Sequence, residues 1–348
     1  MSMVEGRSSP RHRVSKNARY ILETGLRERW YGICPATHVS DRPKAITRWG
    51  RKLVLWRDSM GCYHLHEDRC PHRGAPLSLA RNDGDRLTCA YHGVAIFSDG
   101  SVAEVPGQPG SELVGCSAVR TYPVNLSNGV IFAWLSDEPE KTPAPFQLPQ
   151  PLSSDKYSAF LSYAEWRCPY LFIIDNNMDP MHGVFLHQLS HSMAEGSRQS
   201  EFSIRNTKTG FVFEKKDQKG INFDWSEWYD DDFQAVCLEI PYPASGGPGG
   251  SFGIVFHVTP IDEKSCACFF WRNRKVTGWE RDTWRFLYRN RLEGRHWHVL
   301  EQDRLVAESM ADDADCAEYL YSHDVGVSRV RKIMSEEAER QAKMLERN

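Results

Sequence analysis

Two short loops constrain this chain most: Cys70-Pro71-His72-Arg73-Gly74 and Cys89-Ala90-Tyr91-His92-Gly93. Each carries one Cys and one His, as Cys-x-His and Cys-x-x-His, and sixteen residues separate His72 from Cys89. Each follows a strand-like run and contains a glycine, which lets the backbone turn sharply. Structural zinc sites more often pair Cys with Cys and His with His. Mixed pairs suit a [2Fe–2S] cluster in which both thiolates hold one iron and both imidazoles hold the other. A single zinc ion is the competing reading of the same four residues.

A second constellation lies in Asp175-Asn176-Asn177-Met178-Asp179-Pro180-Met181-His182-Gly183-Val184-Phe185-Leu186-His187. Carboxylates are rarely fully buried without a partner, and a metal would supply one here. Asp179 and His182, three apart, share a face of a helix. His182 and His187, five apart, do not; their rings meet only if the helix ends or carries a π-type bulge. The zinc-protease spacing of two His four apart is absent. Two His with one distant carboxylate suit a facial triad for non-haem Fe(II), with positions left open for oxygen. On these residues alone, two satisfied histidines and a helix N-cap at Asp179 followed by Pro180 remain equally open.

The chain's 348 residues are more than one core usually serves, so two domains are expected. A net charge of −3 offers no basic excess to neutralise phosphates, which argues against nucleic acid as a partner. No run of eighteen apolar residues predicts a membrane span, and the basic, polar N-terminus lacks the apolar stretch of a secretory signal. Roughly the first fifteen residues read as a frayed arm. The ten cysteines are mostly scattered singly, which suggests a reduced cytoplasm rather than a disulfide framework. Cys266 and Cys268, alternating in a strand-like run, read as small packing residues.

From about Trp30 to Asp137 the text is short strands and turns, such as Lys52–Trp56 and Cys62–His66 about Asp58–Gly61. Ser127-Asn128-Gly129 between Val124–Leu126 and Val130–Trp134 is a strong hairpin signal. Prolines 139, 143, 145, 149 and 151 mark a stiff crossing between domains. Beyond it, strand-like runs at 157–163, 211–213, 235–240, 253–258 and 266–271 are followed by helical patterns over 279–310 and 325–347. The expected fold class is α+β: arm 1–27, an all-β domain over 28–140, linker 141–155 and a second domain over 156–348.

These motifs resemble those of Rieske non-haem iron oxygenase α subunits, of the group similar to dicamba and vanillate O-demethylases, over nearly the whole chain. The family's first motif reads Cys-x-His-Arg-Gly and its second Cys-x-Tyr-His-Gly-Trp; this chain has Val94 in place of that Trp. Asp175-Asn176, Asp179, His182 and His187 match the family's iron motif position for position, with the shorter Asn-to-Asp spacing of that group. The resemblance implies a Rieske [2Fe–2S] domain held through Cys70, His72, Cys89 and His92. It implies next a helix-grip (START/Bet v 1-like) catalytic domain with an antiparallel sheet. His182 and His187 would hold mononuclear Fe(II) with a third ligand in Glu301-Gln302-Asp303-Arg304, for which Asp303 is the best match. Glu301, Asp312 and Asp313 compete for that role, and Arg304 would otherwise pair with Asp303 as a surface ion pair.

The resemblance further implies a terminal oxygenase that uses O2 to hydroxylate or oxidatively demethylate a small, aromatic substrate. NAD(P)H would supply electrons through a reductase, with or without a ferredoxin. The chain would form a homotrimer in which the cluster of one subunit reaches the iron of its neighbour through His92, Asp179 and His182, Asp179 being the catalytic bridge. The pocket is expected between the Asp303 helix and the sheet, with Asn176, His257 and Trp297 as candidates beside Phe172, Phe185, Trp225, Trp228 and Phe252. Competing functions are a Rieske electron carrier without oxygenase activity, a zinc-binding structural protein, and a cis-dihydroxylating dioxygenase.

Overall fold

The computed structural model describes residues 14–189, 196–241, 249–311, 314 and 318–346. These form two compact units. Among the described residues, one comprises Arg27–Phe146 with the hairpin tip Thr259–Asp262; the other comprises those up to Leu26, between Gln147 and Val258, and from Glu263 onward.

The first unit is built from short strands: β1 (Arg29–Pro35), β2 (Lys44–Arg48), β3 (Arg51–Arg57), β4 (Tyr63–Glu67), β5 (Arg81–Asn82), β6 (Arg86–Thr88), β7 (Ala95–Phe97), β8 (Val102–Glu104), β9 (Thr121–Tyr122), β10 (Val124–Ser127) and β11 (Val130–Leu135). They pair in three small sheets, β1-β11-β10, β2-β3-β4-β9 and β5-β6-β7-β8. Local chemistry dictates the hairpins. Between β10 and β11, Asn128 (φ 47°) and Gly129 (φ 75°) both take positive φ, the pair of dihedrals a type I′ turn demands. The second sheet closes over a core of Leu53, Leu55, Leu65, Trp49 and Ile131. The third closes over Trp56, Leu77, Leu87, Ile96 and the two knuckle cysteines. Part of the proline-rich stretch is fastened to this unit. Trp30 Nε1 donates to the Ala144 carbonyl at 3.0 Å, and Phe146 packs on Trp30 and Phe132.

The second unit is a seven-stranded antiparallel sheet carrying helices. Its strands are β12 (Tyr157–Trp166), β13 (Phe202–Asn206), β14 (Gly210–Lys215), β15 (Trp225–Asp230), β16 (Gln234–Pro241), β17 (Ser251–Asp262) and β18 (Ser265–Lys275), in the order β12-β18-β17-β16-β15-β14-β13. The helices are α1 (Lys16–Thr24), α2 (Gln150–Ser153), α3 (Tyr170–Met178), α4 (Gly183–Leu186), α5 (Gly278–Leu287), α6 (Glu293–Ser309) and α7 (Val325–Leu345). A π-helical turn, Tyr288–Leu292, joins α5 to α6. No helix among the described residues is long and apolar enough to cross a membrane.

α3 reads Tyr-Leu-Phe-Ile-Ile and is buried on nearly every side, as a helix apolar all round must be. It lies in the central core with Phe211, Phe213, Trp228 and Phe256 of the sheet, Leu300 of α6 and Val330 of α7. Each such apolar side chain contributes about 1.5–3 kcal/mol by leaving water.

The N-terminal arm expected over 1–27 is different from residue 16 on. Ser15 caps α1 by accepting from the Ala18 N–H at 3.3 Å, and Ala18, Ile21 and Leu22 bury a face against α7. That 18/21/22 spacing is a helical stripe, too brief to stand out in a basic, polar stretch. β13 and β15 were also not foreseen, because their runs are short and broken by polar residues.

Asp175 holds α3 to α7. Arg331, 5% exposed, donates to Asp175 Oδ2 from Nε (3.1 Å) and Nη2 (2.8 Å), and its fork also binds Glu318. Removing one partner of such a pair strands a buried charge, at about 3–5 kcal/mol. Arg331→Met is therefore expected to lower unfolding stability by about 3–5 kcal/mol in a urea titration, and adding Asp175→Asn to restore part of that loss. A loss under about 1 kcal/mol would mean that packing alone seats α3.

Candidate active site: two knuckles and a three-residue His-His-Asp cage

The knuckles are the same turn built twice. Cys70 N–H donates to the Ala75 carbonyl at 2.8 Å and Gly74 N–H to the Cys70 carbonyl at 2.9 Å. Cys89 N–H donates to the Val94 carbonyl at 2.8 Å and Gly93 N–H to the Cys89 carbonyl at 3.0 Å. Gly74 (φ +75°) and Gly93 (φ +74°) both occupy the left-handed region that a side chain disfavours. This folding puts like beside like. The thiols are buried neighbours, and burial, with Cys89 alongside, raises the Cys70 thiol above its ordinary pKa. The His72 and His92 rings stand 4.6 Å apart and are exposed. Val94, which replaces the resembled family's Trp, is buried in the same core.

The second site arises from a broken helix. α3 stops at Met178, and Asp179 is its C-cap rather than the N-cap of a following helix. The Asp179 carboxylate accepts from the Met181 N–H at 2.7 Å, a local turn that ends α3 before Pro180. α4 then runs only from Gly183 to Leu186, with His182 and His187 at its two ends. The helix ends, as the five-residue spacing required, and the two rings come to 5.2 Å. No π bulge lies here; the π turn is on the helix before Asp303.

Asp303, 7% exposed, faces inward from α6. Its Oδ1 lies 3.6 Å from His182 Nε2 and 3.3 Å from His187 Nε2. Among the described residues these three are the one group of metal-ligand type whose atoms all lie within 4.8 Å of one another. The other ring nitrogens are committed. His182 Nδ1 is 2.6 Å from the Asp179 carbonyl, and His187 Nδ1 is 2.9 Å from Gln302 Oε1. Each partner oxygen accepts a hydrogen bond from Nδ1–H, which keeps the proton on Nδ1 and leaves the Nε2 lone pair free for a metal. Asn176 Nδ2 donates to Asp303 Oδ1 at 3.3 Å. Burial works to lower the pKa of His187, but the Asp303 carboxylate and Gln302 outweigh it and raise it.

The structure sorts the remaining sequence expectations. Arg304 binds Glu301 and Glu308, not Asp303, so the surface-pair reading of Asp303 fails, and Glu301 points away with Arg304. Asp312 and Asp313 lie outside the described residues. His257 is a correction: it faces the other side of the sheet, against Phe233 and Phe269, with Nδ1 donating to the Gln234 carbonyl at 2.7 Å. The strand alternates, and Phe256 and Val258 took the helix side. Trp297 is also off the site, 37% exposed; His296, seven residues before Asp303, takes the inward position. Trp225 alternates away from the helices, whereas Ser226 bonds the Met178 carbonyl and Trp228 joins the core. Phe172 is buried on α3, and Phe185 is exposed under Arg198. Cys266 and Cys268 are fully buried, and burial raises both thiols, as packing residues require.

Residues that sequence reasoning missed are Gln302, Phe223, whose ring is 6.1 Å from that of His182, and Lys215. Lys215 Nζ is fully buried without a hydrogen bond; burial lowers its pKa against the opposing charges of Asp224 and Asp179.

Two family models match the chain: the Rieske [2Fe-2S] domain over residues 29–123 and the vanillate O-demethylase oxygenase C-terminal domain over 166–340. The chain belongs to the Rieske-type oxygenases that carry this C-terminal domain. It is 32% identical over 206 residues to the protein TIC 55, chloroplastic, of Arabidopsis thaliana, covering 56% of this chain and 38% of that one. It is 30% identical over 166 residues to a vanillate O-demethylase oxygenase subunit of a Pseudomonas species, covering 48% and 46%. The chain thus spans less than half the length of these relatives. The fold is that of the terminal oxygenase of carbazole 1,9a-dioxygenase from Nocardioides aromaticivorans IC177 (TM-score 0.77, 18% identity, 95% and 98% covered). It is also that of dicamba monooxygenase (TM-score 0.71, 21% identity, 92% and 99% covered).

Gln302→Leu removes the acceptor that fixes the His187 tautomer. Fe(II) affinity of the mononuclear site is expected to fall about 10–100-fold in a chelator competition, with the visible spectrum of the cluster unchanged. An unchanged iron affinity would mean that Gln302 does not orient His187.

Proposed function

We propose that this chain is the terminal oxygenase of a multicomponent system, inserting oxygen from O2 into a small aromatic substrate by hydroxylation or oxidative demethylation. The observation that carries this reading is the convergence of His182, His187 and Asp303 from two separate helices, in a chain that also holds the paired knuckles. The residues fit both groups. Three ligand atoms on one face leave positions open, as a non-haem Fe(II) site needs. Paired buried thiols and paired exposed rings suit a two-iron cluster better than one tetrahedral zinc. Held by Cys70, His72, Cys89 and His92, and by His182, His187 and Asp303, the cluster would store electrons and the iron would bind and reduce dioxygen.

The protein's own residues orient and protect that chemistry. Gln302 and the Asp179 carbonyl fix both imidazole tautomers. Asn176 holds one oxygen of Asp303. The Asp179 side chain is 29% exposed and within 3.8 Å of His182 Nδ1. An exposed imidazole such as His92 of a second copy could hydrogen-bond it, joining the two centres across a homotrimer. A reductase drawing on NAD(P)H, with or without a ferredoxin, completes the system. The free thiols of all nine described cysteines support a reduced, cytoplasmic setting.

Purified protein is expected to be red-brown, with Rieske-type absorption and EPR, and about three irons per chain. Two irons would favour an electron carrier, and a colourless protein with zinc would overturn the reading. Asp179→Asn is expected to keep both metal complements while product formation falls at least about 100-fold, since one hydrogen-bonded carboxylate joins the centres. Normal turnover in a fully loaded variant would remove Asp179 from the pathway.

A further inference from the structure

The helix side of β18 carries an arginine that the iron chemistry does not use. Strand alternation puts Cys266, Cys268, Phe270 and Arg272 on one face, and the first three belong to the core shared with Leu300 and Ala307 of α6. Arg272 is 2% exposed. Its Nη1 donates to Ser162 Oγ of β12 at 2.9 Å, and its Nε has no hydrogen bond. Among the described residues no carboxylate comes within ion-pair distance of it. A guanidinium buried without an anion costs several kcal/mol, so such groups are normally paired.

The groups around it are unfinished as well. His296 Nδ1 and Ser158 Oγ are buried without a hydrogen-bond partner, and the buried Tyr288 hydroxyl lies beside Arg272 and Ser162. Their mutual placement is close. The Tyr288 and His296 rings are 5.5 Å apart, Phe160 stacks on Tyr288 at 4.1 Å, and Phe252 stacks on His296 at 4.8 Å. The charge of Arg272 acts on both Tyr288 and His296. Three buried polar atoms without a partner, Arg272 Nε, Ser158 Oγ and His296 Nδ1, are a departure that native interiors rarely tolerate.

The same neighbourhood continues toward the iron cage through apolar rings. Phe252, Tyr288, Leu292 and Phe223 form one cluster, and Phe223 faces His182. His296 and Asp303 lie on the same buried face of α6, together with Leu300 and Ala307. The side chains that link cage and arginine are therefore aromatic and apolar, and the arginine end lacks an anion.

We propose that Arg272, with Tyr288, His296 and Ser158, forms a subsite for a carboxylate, so that the substrate of this oxygenase is a small aromatic acid. The planar fork of Arg272 would hold the carboxylate bidentately, the Tyr288 and Ser158 hydroxyls would donate to it, and the ring would lie on the Phe252 and Phe223 side, toward the cage. This rests on the oxygenase reading for the direction the ring faces. The arginine, by contrast, asks for an anion whatever the iron does.

The test is binding of benzoate and of benzamide, its neutral counterpart of the same shape, to the purified full chain. Tryptophan fluorescence titration and thermal unfolding at neutral pH serve as readouts, without reductase. Benzoate is expected to bind at least ten-fold more tightly than benzamide and to raise the melting temperature. Arg272→Met should abolish that preference and, with a buried unpaired charge removed, leave the ligand-free melting temperature unchanged or higher. Tyr288→Phe, a change of one hydroxyl, should weaken benzoate several-fold and benzamide not at all, and it decides the matter if Arg272→Met does not fold. Equal affinities in the parent protein would overturn the subsite. So would a variant that loses stability yet keeps the preference for benzoate, which would make Arg272 a structural residue. Iron counted on the same samples separates the two readings. Three irons without the preference sinks the subsite alone, and the preference with two irons sinks the oxygenase alone.

Discussion

The structure turns on bringing two imidazoles five residues apart onto one carboxylate that lies 116 residues further along the chain than His187. A continuous helix forbids it. The Asp179 carboxylate captures the Met181 N–H, Pro180 cannot extend the helical ladder, and α3 ends. The four-residue α4 then turns His182 and His187 to the same point. Everything around the cage keeps that broken segment still. α3 is buried on almost all sides, and Asp175 is pinned by Arg331 of α7. Two acidic residues four apart therefore serve opposite ends: Asp175 is spent on an ion pair, while Asp179 keeps a partly exposed carboxylate beside His182.

Where local chemistry decided the outcome, the sequence could be read. The knuckles declared themselves because a cluster needs particular atoms at particular spacings. The Asn128-Gly129 turn declared itself because few residues tolerate its dihedrals. Long apolar strands such as β16 to β18 stood out for the same reason of composition. Asp303 came from the resemblance, and the geometry brings it to both imidazoles.

The missed residues are those whose role depends on which face of an element turns inward. His257 and Trp297 looked suitable by type, yet each is one position out of phase with the buried face. On β17 a shift by one residue exchanges faces completely. On α6 the buried residues His296, Leu300, Asp303 and Ala307 recur at spacings of four, three and four, and Trp297 falls outside that rhythm. Once Asp303 is taken as a ligand, counting back seven residues finds His296. Arg272 carried no such signal, because a charged residue at the end of an apolar strand reads as its exposed terminus.

The π turn gives the two parts of the site a common ruler. Trp284, Tyr288, Leu292 and His296 are buried at successive steps of four. In a regular α-helix each such step falls 40° past a full turn, so four residues in this series would wind off the buried face. The wider turn at Tyr288–Leu292 absorbs part of that drift and keeps Tyr288 and His296 on the side that α6 continues to Asp303. A π turn forgoes regular helical hydrogen bonding, and here it aligns the Tyr288 hydroxyl, beside Arg272, with an imidazole whose Nδ1 has no partner among the described residues. Such a departure is hard to explain as core packing, since Leu or Phe at 288 and 296 would fill the same apolar cluster without stranding polar atoms. With the proposed subsite, its physical sense is a helix that offers polar groups to a carboxylate at one end and brings Asp303 to the two imidazoles at the other.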